Sequence, residues 1–181
     1  EAAPEPAATT AATPAASTSP SPTAAATSEP TIEKITTPPR VPADLTTPGK
    51  VGSKAAVEYF VALYGYTVNT GDASLLRAIS TPTCEYCNEL ASGVEAYFAQ
   101  GGSIAGEAAS VNRMKLHEGE SSANRHLWVV DISLAARQET AQDGTHTETR
   151  ARSETSALLA VWTNGSWKIG THLAVEETAG P

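Results

Sequence analysis

The apolar residues of this chain fall into two periods, and neither starts before about residue 51. From there to Asn69, Val57, Phe60, Val61, Tyr64 and Val68 recur at helical spacing. Tyr59, Leu63 and Tyr66 make the opposite side apolar too, and Glu58 is the only charge between Ala55 and Asn69. A helix apolar nearly all round is buried on more than one side. Ser53 is its expected N-cap, and Gly71 lies just past its end. Gly65 costs about 1 kcal/mol relative to Ala, so it either allows close packing or is simply tolerated.

Asp72 is expected to cap a short helix from Ala73 to about Ile79. Thr81-Pro82 predicts the start of a third, because Thr caps well and Pro suits the first helical position. Its buried stripe is Cys87, Leu90, Ala91, Val94 and Phe98, and Gly101-Gly102 ends it. After Gly102 the period becomes two. Val111 to Leu116 reads as a weak strand. Trp128, Val130, Ile132 and Leu134 alternate with Val129, Asp131 and Ser133, which gives one strongly apolar face. Asn164-Gly165 marks a hairpin turn that sets Trp162 opposite Trp167. Asp143-Gly144 marks another. A two-residue turn there would oppose Arg137 to Arg150 and Glu139 to Glu148, and like charges directly opposite are destabilising. Either that loop is longer, or diagonal Arg–Glu contacts compensate. Helices followed by an antiparallel meander define an α+β class: three N-terminal helices packed on a curved antiparallel sheet.

Composition adds a second region. Ten of the twelve prolines lie in residues 1–50, whereas every Trp, Tyr, Phe and Cys lies later. Ile32, Ile35, Val41 and Leu45 are the only large apolar residues of that stretch, too few to offset the entropy of ordering it. The expected organisation is a disordered Ala/Thr/Pro-rich tether over 1–50, a domain over 51–177 and a flexible C-terminus over 178–181. As a coil the tether spans roughly 40 Å, which suits a spacer between a membrane and a cell wall. The chain begins at Glu1 rather than Met, so a removed signal peptide or a lipid-modified Cys just upstream is expected. The expected location is extracytoplasmic, secreted or anchored to the cell membrane.

Net charge is −8, of which the tail's five acids and three bases account for −2. An acidic domain with scattered Lys and Arg lacks the clustered positive surface that nucleic acid requires, and it matches an anionic membrane face poorly. Membrane contact is therefore expected only through an upstream lipid anchor, and the protein is expected to be a monomer or weak dimer.

Cys84-x-x-Cys87 is the sharpest chemical feature. Residues three apart on a helix have Cα atoms about 5 Å apart, inside the disulfide range. Three uses compete. A redox pair would gain from the helix N-terminus, although Glu85 and Glu89 oppose a thiolate there and no strand leads in. A metal site needs two more ligands, and His117, His126, His146 and His172 show no paired spacing, so no metal and no cofactor are expected. A local staple stabilises by only about 2 kcal/mol, enough to fix a helix start in an oxidising compartment. Asn164-Gly165-Ser166 matches a glycosylation acceptor, but the tight turn accounts for it better. Asp131 is the one acid in a strongly apolar strand, and alternation points it away from Trp128 toward solvent.

Element order and the terminal hairpin resemble the cone-shaped nuclear transport factor two-like fold, also called cystatin-like, over about residues 53–177. The whole layout also resembles an uncharacterised family of exported lipoproteins from high-GC Gram-positive bacteria. There a Thr/Pro-rich stalk precedes a domain beginning like Ala56-Val57-Glu58-Tyr59-Phe60, with Thr70-Gly71-Asp72 and then Ser80-Thr81-Pro82-Thr83-Cys84-Glu85-Tyr86-Cys87. That resemblance implies no particular activity. The cone resemblance implies a cavity between the first helix and the concave sheet face, lined by Tyr59, Phe60, Tyr66, Trp128 and Trp162, unless these aromatics simply fill the core. The resulting expectation is a non-catalytic extracytoplasmic binding domain, its partner an envelope protein or a small apolar ligand. The alternatives are a thiol–disulfide exchange protein using Cys84 and Cys87, and an acid–base enzyme in the cone cavity.

Overall fold

A computed structural model describes residues 32–174. The expected tether up to residue 31 and the C-terminal segment from 175 lie outside the described residues. Three α-helices come first: α1 (Lys50–Thr70), α2 (Ser74–Ile79) and α3 (Glu85–Ala99). Seven strands follow: β1 (Ser103–Gly106), β2 (Ala109–Leu116), β3 (Arg125–Leu134), β4 (Arg137–Thr140), β5 (His146–Thr149), β6 (Arg152–Thr163) and β7 (Ser166–Ala174). Every pairing between these strands is antiparallel, with one isolated parallel bridge from Ser80 to Ile169, and the class is α+β.

The single curved sheet expected from the sequence is two sheets, ordered β1-β4-β5 and β2-β3-β6-β7. The break falls where β1 turns into β2 and β3 into β4. Gly106 and Glu107 take positive φ, +89° and +56°, which swings the chain out of the ladder. Two backbone bonds still join the corner: Glu107 N–H donates to Ala136 O and Ala135 N–H to Ala108 O, each 2.9 Å.

α1 is the axis of the core. Its buried residues include Tyr59 and Leu63 on one side and Phe60, Val61 and Val68 on the other. Strand β3 alternates as its sequence requires, with His126, Trp128, Val130, Ile132 and Leu134 buried and the intervening residues half-buried on the outer face. Buried apolar surface of this kind supplies most of the folding free energy.

Helix starts differ from the sequence pattern. α1 begins at Lys50 after Gly49, and Ser53 lies buried inside it. Its hydroxyl accepts from Trp128 Nε1–H (3.2 Å) and bonds His126 Nδ1 (2.6 Å), so tertiary partners outcompete a capping role. Asp72 does accept the Ser74 N–H, at 2.9 Å, from two residues before α2, whose N-cap position is Ala73. Thr81-Pro82 forms a turn, closed by Cys84 N–H to Thr81 O (3.1 Å), and α3 starts only at Glu85. Its cap is Cys84, whose Sγ accepts from Cys87 N–H at 3.3 Å.

The boundary expected at residue 50 also lies earlier. Residues 32–49 form a strap running antiparallel to α1, with a 3-10 turn at Ala43–Thr46. Near the helix C-terminus, Ile35 N–H donates to Asn69 Oδ1 at 3.1 Å. Near its N-terminus, Trp167 Nε1–H donates to Thr47 O at 2.9 Å. Gly52 permits this, because a Cβ there would stand 1.9 Å from Thr47 O. Gly65 is a close-packing position too: its Cβ would meet Ile35 at 3.3 Å and Glu107 O at 3.4 Å.

Both hairpins resolve as charge and aromatic pairing demand. Trp162 faces Trp167 across Asn164-Gly165, with ring centroids 5.5 Å apart and edge-on. The β4–β5 loop is longer than two residues. Arg137 therefore pairs with Thr149 and Glu139 with Thr147, and both like-charge oppositions vanish.

Candidate functional site

The inner faces of β3, β6 and β7, with α1 and α3 above them, enclose a cavity of about 20 Å³. Phe60, Val61 and Tyr64 come from α1, Tyr86 from α3, and Ala109 from β2. Ile132, Leu134, Glu154, Leu158 and His172 line it from the strands. Counted with its open mouth, the cleft encloses about 300 Å³. The enclosed part has room for one water molecule, whereas a larger ligand would have to occupy the mouth or move a wall.

His172 is the polar centre of this cleft. It is only 8 % exposed, and its Nδ1 has no hydrogen-bond partner among the described residues. Its ring stands edge-on to Tyr86, centroids 4.0 Å apart, and tilted against Phe60 at 6.1 Å. Burial holds its pKa down at about 4, so the imidazole is neutral at pH 7. Ser156, on the same inner face and one alternation from Leu158, the cross-strand partner of His172, is also buried, and its Oγ has no partner among the described residues. Native interiors leave few such atoms, and each calls for an occupant or a role. Tyr86 is pushed up to about 12, by burial first and then by Glu154 and Glu107. It therefore remains a neutral donor.

Beyond Tyr64 lies a second polar cluster with the opposite character. Glu107 is 0 % exposed, yet Arg137 Nη1 donates to it at 2.6 Å and Arg152 Nη1 at 2.9 Å. Burial, and after it the Glu107 charge, raise the Tyr64 pKa above its ordinary range. Next to this cluster Asn69 uses its whole amide. Its Oδ1 accepts from Ile35 and Gly106 N–H, and its Nδ2 donates to Gly65 and Gly106 carbonyls.

Of the residues expected to line a pocket, Phe60 alone does so. Tyr59 and Tyr66 are buried on α1, Trp128 bonds Ser53, and Trp162 packs edge-on to Trp167. Cys84 and Cys87 form a disulfide with Cα atoms 5.3 Å apart. The two residues are 0 % and 2 % exposed. The bridge brackets Tyr86 and so fixes the start of the segment that walls the cleft. Asp131 faces outward, accepting from Thr155 Oγ1 (2.9 Å) and Arg113 Nε (2.8 Å), which hold its carboxyl below the usual range. Ser53 and His126 meet, but Ser53 is wholly buried and its hydroxyl is also engaged by Lys50 O and Trp128 Nε1. Sequence reasoning missed Tyr64, Tyr86, Glu154 and His172 as cleft residues. The available signal was alternation: Leu158 and His172 share the inward face of the last hairpin.

This arrangement of helices, sheets and cleft defines an α+β domain with one small, aromatic-walled hollow. The chain belongs to DUF6318, a family of unknown function, whose pattern matches residues 26–173. Among solved structures it is similar to the intermembrane space region of the chloroplast protein ARC6, at 12 % identity and TM-score 0.50, with 67 % of this chain and 92 % of that one covered. It is also similar to an NTF2-like protein with a cystatin-like fold from Novosphingobium aromaticivorans, at 13 % identity and TM-score 0.45, with 71 % and 86 % covered. A nuclear transport factor 2 (NTF2-like) superfamily protein from Salmonella enterica serovar Typhimurium stands at 11 % identity and TM-score 0.44, with 71 % and 95 % covered. Identities this low speak to the fold alone. The curated proteins offer no match. Among the described residues no helix is long and apolar enough to cross a membrane.

Proposed function

We propose that the chain is a non-catalytic, extracytoplasmic binding domain whose small ligand enters the cleft beside Tyr86. One observation carries this reading: a nine-tenths buried His172 whose Nδ1 has no partner among the described residues, in a hollow walled mainly by apolar and aromatic side chains. Leaving such an atom bare costs about 1–3 kcal/mol, and a bound group would recover it. The extracytoplasmic location draws support from the disulfide, a bond that persists in oxidising compartments, and from the Pro/Thr-rich composition of residues 1–50. Attachment through an upstream lipid, in a high-GC Gram-positive envelope, is the setting this reading favours.

The test is a small-fragment screen followed through the His172 ring resonances. A fragment that moves those resonances, and that Ala109→Phe excludes by filling the cleft, supports the reading. No fragment acting at millimolar concentration would sink it, leaving a single water as the occupant. Disulfide exchange is disfavoured by the burial of both cysteines. Thiol trapping in defined glutathione buffers should give a potential below roughly −300 mV, the range of structural bridges. Acid–base chemistry keeps a second place, because His172 and Glu154 are titratable groups in one cleft. Proton exchange of a weak carbon acid, slowed by His172→Leu, would promote it.

A further inference from the structure

We infer that the cleft selects a small primary ammonium compound with an apolar body, an inference that rests on the binding role just proposed. Three observations converge. Glu154 is the only acidic or basic side chain on the lining besides the neutral His172, and no Lys or Arg is itself part of that lining. A site whose one full charge is negative favours a cation. The nearest guanidinium, Arg152, is committed to Glu107 at 2.9 Å, and its Nε stands 4.0 Å from Glu154, the outer limit of an ion pair. Glu154 is thus loosely paired and half-buried at the cleft.

The walls fit the same class. Phe60, Tyr64 and Tyr86 present aromatic rings beside the imidazole of His172, and ring faces attract ammonium groups. Ile132, Leu134 and Leu158 offer an apolar floor for the body of the ligand. The unpartnered His172 Nδ1 decides between kinds of cation. In the tautomer protonated at Nε2 it is an acceptor, and it needs an N–H to accept from. A primary ammonium supplies three; a quaternary one supplies none. Carboxylates are excluded by Glu154, and plain alcohols forgo its charge.

The experiment titrates the full chain at pH 7 with four compounds of similar size: isobutylammonium, isobutanol, isobutyrate and tetramethylammonium. Calorimetry gives affinity, and the His172 ring resonances report the place. Isobutylammonium should bind at least about tenfold more tightly than the other three, the worth of one charge-assisted hydrogen bond. Glu154→Gln should erase that preference, and His172→Phe should bring isobutylammonium down to tetramethylammonium. Arg113→Ala, on the outer face, should change neither. If isobutanol or isobutyrate binds as well as the amine, the ligand class is wrong while the binding role stands. If tetramethylammonium matches isobutylammonium, the acceptor role of His172 is overturned. If none of the four moves the His172 resonances, the ammonium inference falls, and the fragment screen alone then decides the binding role.

Discussion

Glu107 and His172 lie on either side of the same tyrosine-lined cleft, and both are polar side chains withdrawn from water. Their surroundings differ. Glu107 has an arginine on each oxygen, drawn from β4 and the start of β6, and beside it Asn69 has four bonds to backbone groups. His172 has rings around it and, among the described residues, no hydrogen-bond partner on Nδ1. A buried polar group that is fully partnered belongs to the architecture; one left open is a place where the architecture awaits something. The first region ties the strap, α1 and the two sheets at their corner. The second region is where the proposed ligand would enter.

The largest effect that could break this contrast is at the ion cluster. Glu107→Ala should cost about 3–5 kcal/mol in urea unfolding, because two guanidinium groups lose their shared counter-charge. A loss under about 1 kcal/mol would mean that water already satisfies the arginines and the contrast is false. His172 should instead show itself through pH. Its folded pKa of about 4 lies below the unfolded value of 6.5, so the unfolded chain takes up the proton first. The contribution is intact above pH 6.5 and is lost as pH falls toward 4, reaching about 3 kcal/mol. Measured between pH 7 and 4.5, His172→Gln should lose less stability than the parent; equal losses would show the imidazole to be hydrated.

Third in size is the bridge beside Tyr86. Cys84→Ser with Cys87→Ser should cost about 2 kcal/mol and nothing more, since the loop it closes is short. Should the His172 pKa also rise in that variant, the bridge holds the cleft shut as well as the helix start. Arg113→Ala should cost under about 0.5 kcal/mol, because its ion pair with Asp131 stands on the open face with the arginine 80 % exposed. A larger cost would reveal a third polar centre and spoil the two-region picture.

How much of this was legible beforehand follows from the range of each interaction. The Trp162–Trp167 pair was readable, because a two-residue turn fixes register within six positions. Strand β3 was readable, because alternation is local. The start of α1 was not: Ser53 has the side chain of a cap, but Trp128 and His126, more than seventy residues away, claim its hydroxyl. The same holds for Glu107, whose partners stand 30 and 45 residues downstream. The cleft's lining was not legible, because the cone resemblance could not say which of its aromatics face a hollow and which simply fill the core. Tyr59, Tyr66, Trp128 and Trp162 fill space elsewhere, while smaller inward residues of the last hairpin shape the hollow. The strap escaped notice because Ile35 and Leu45 are sparse in a Pro-rich setting, although each packs against the core.

That strap sets where load enters the domain. A helix of twenty-one residues is about 31 Å long, and the strap runs back along it, so the strap's first described residues lie beside the C-terminal end of α1. Tension arriving from that side reaches Ile35 before any helical turn. The bond from Ile35 to Asn69 is then the first to be stretched, and the strap peels one contact at a time toward Thr47. If the chain were held from that side, such a zipper would open rung by rung and leave the cleft undisturbed until the last rung, at Trp167, gave way.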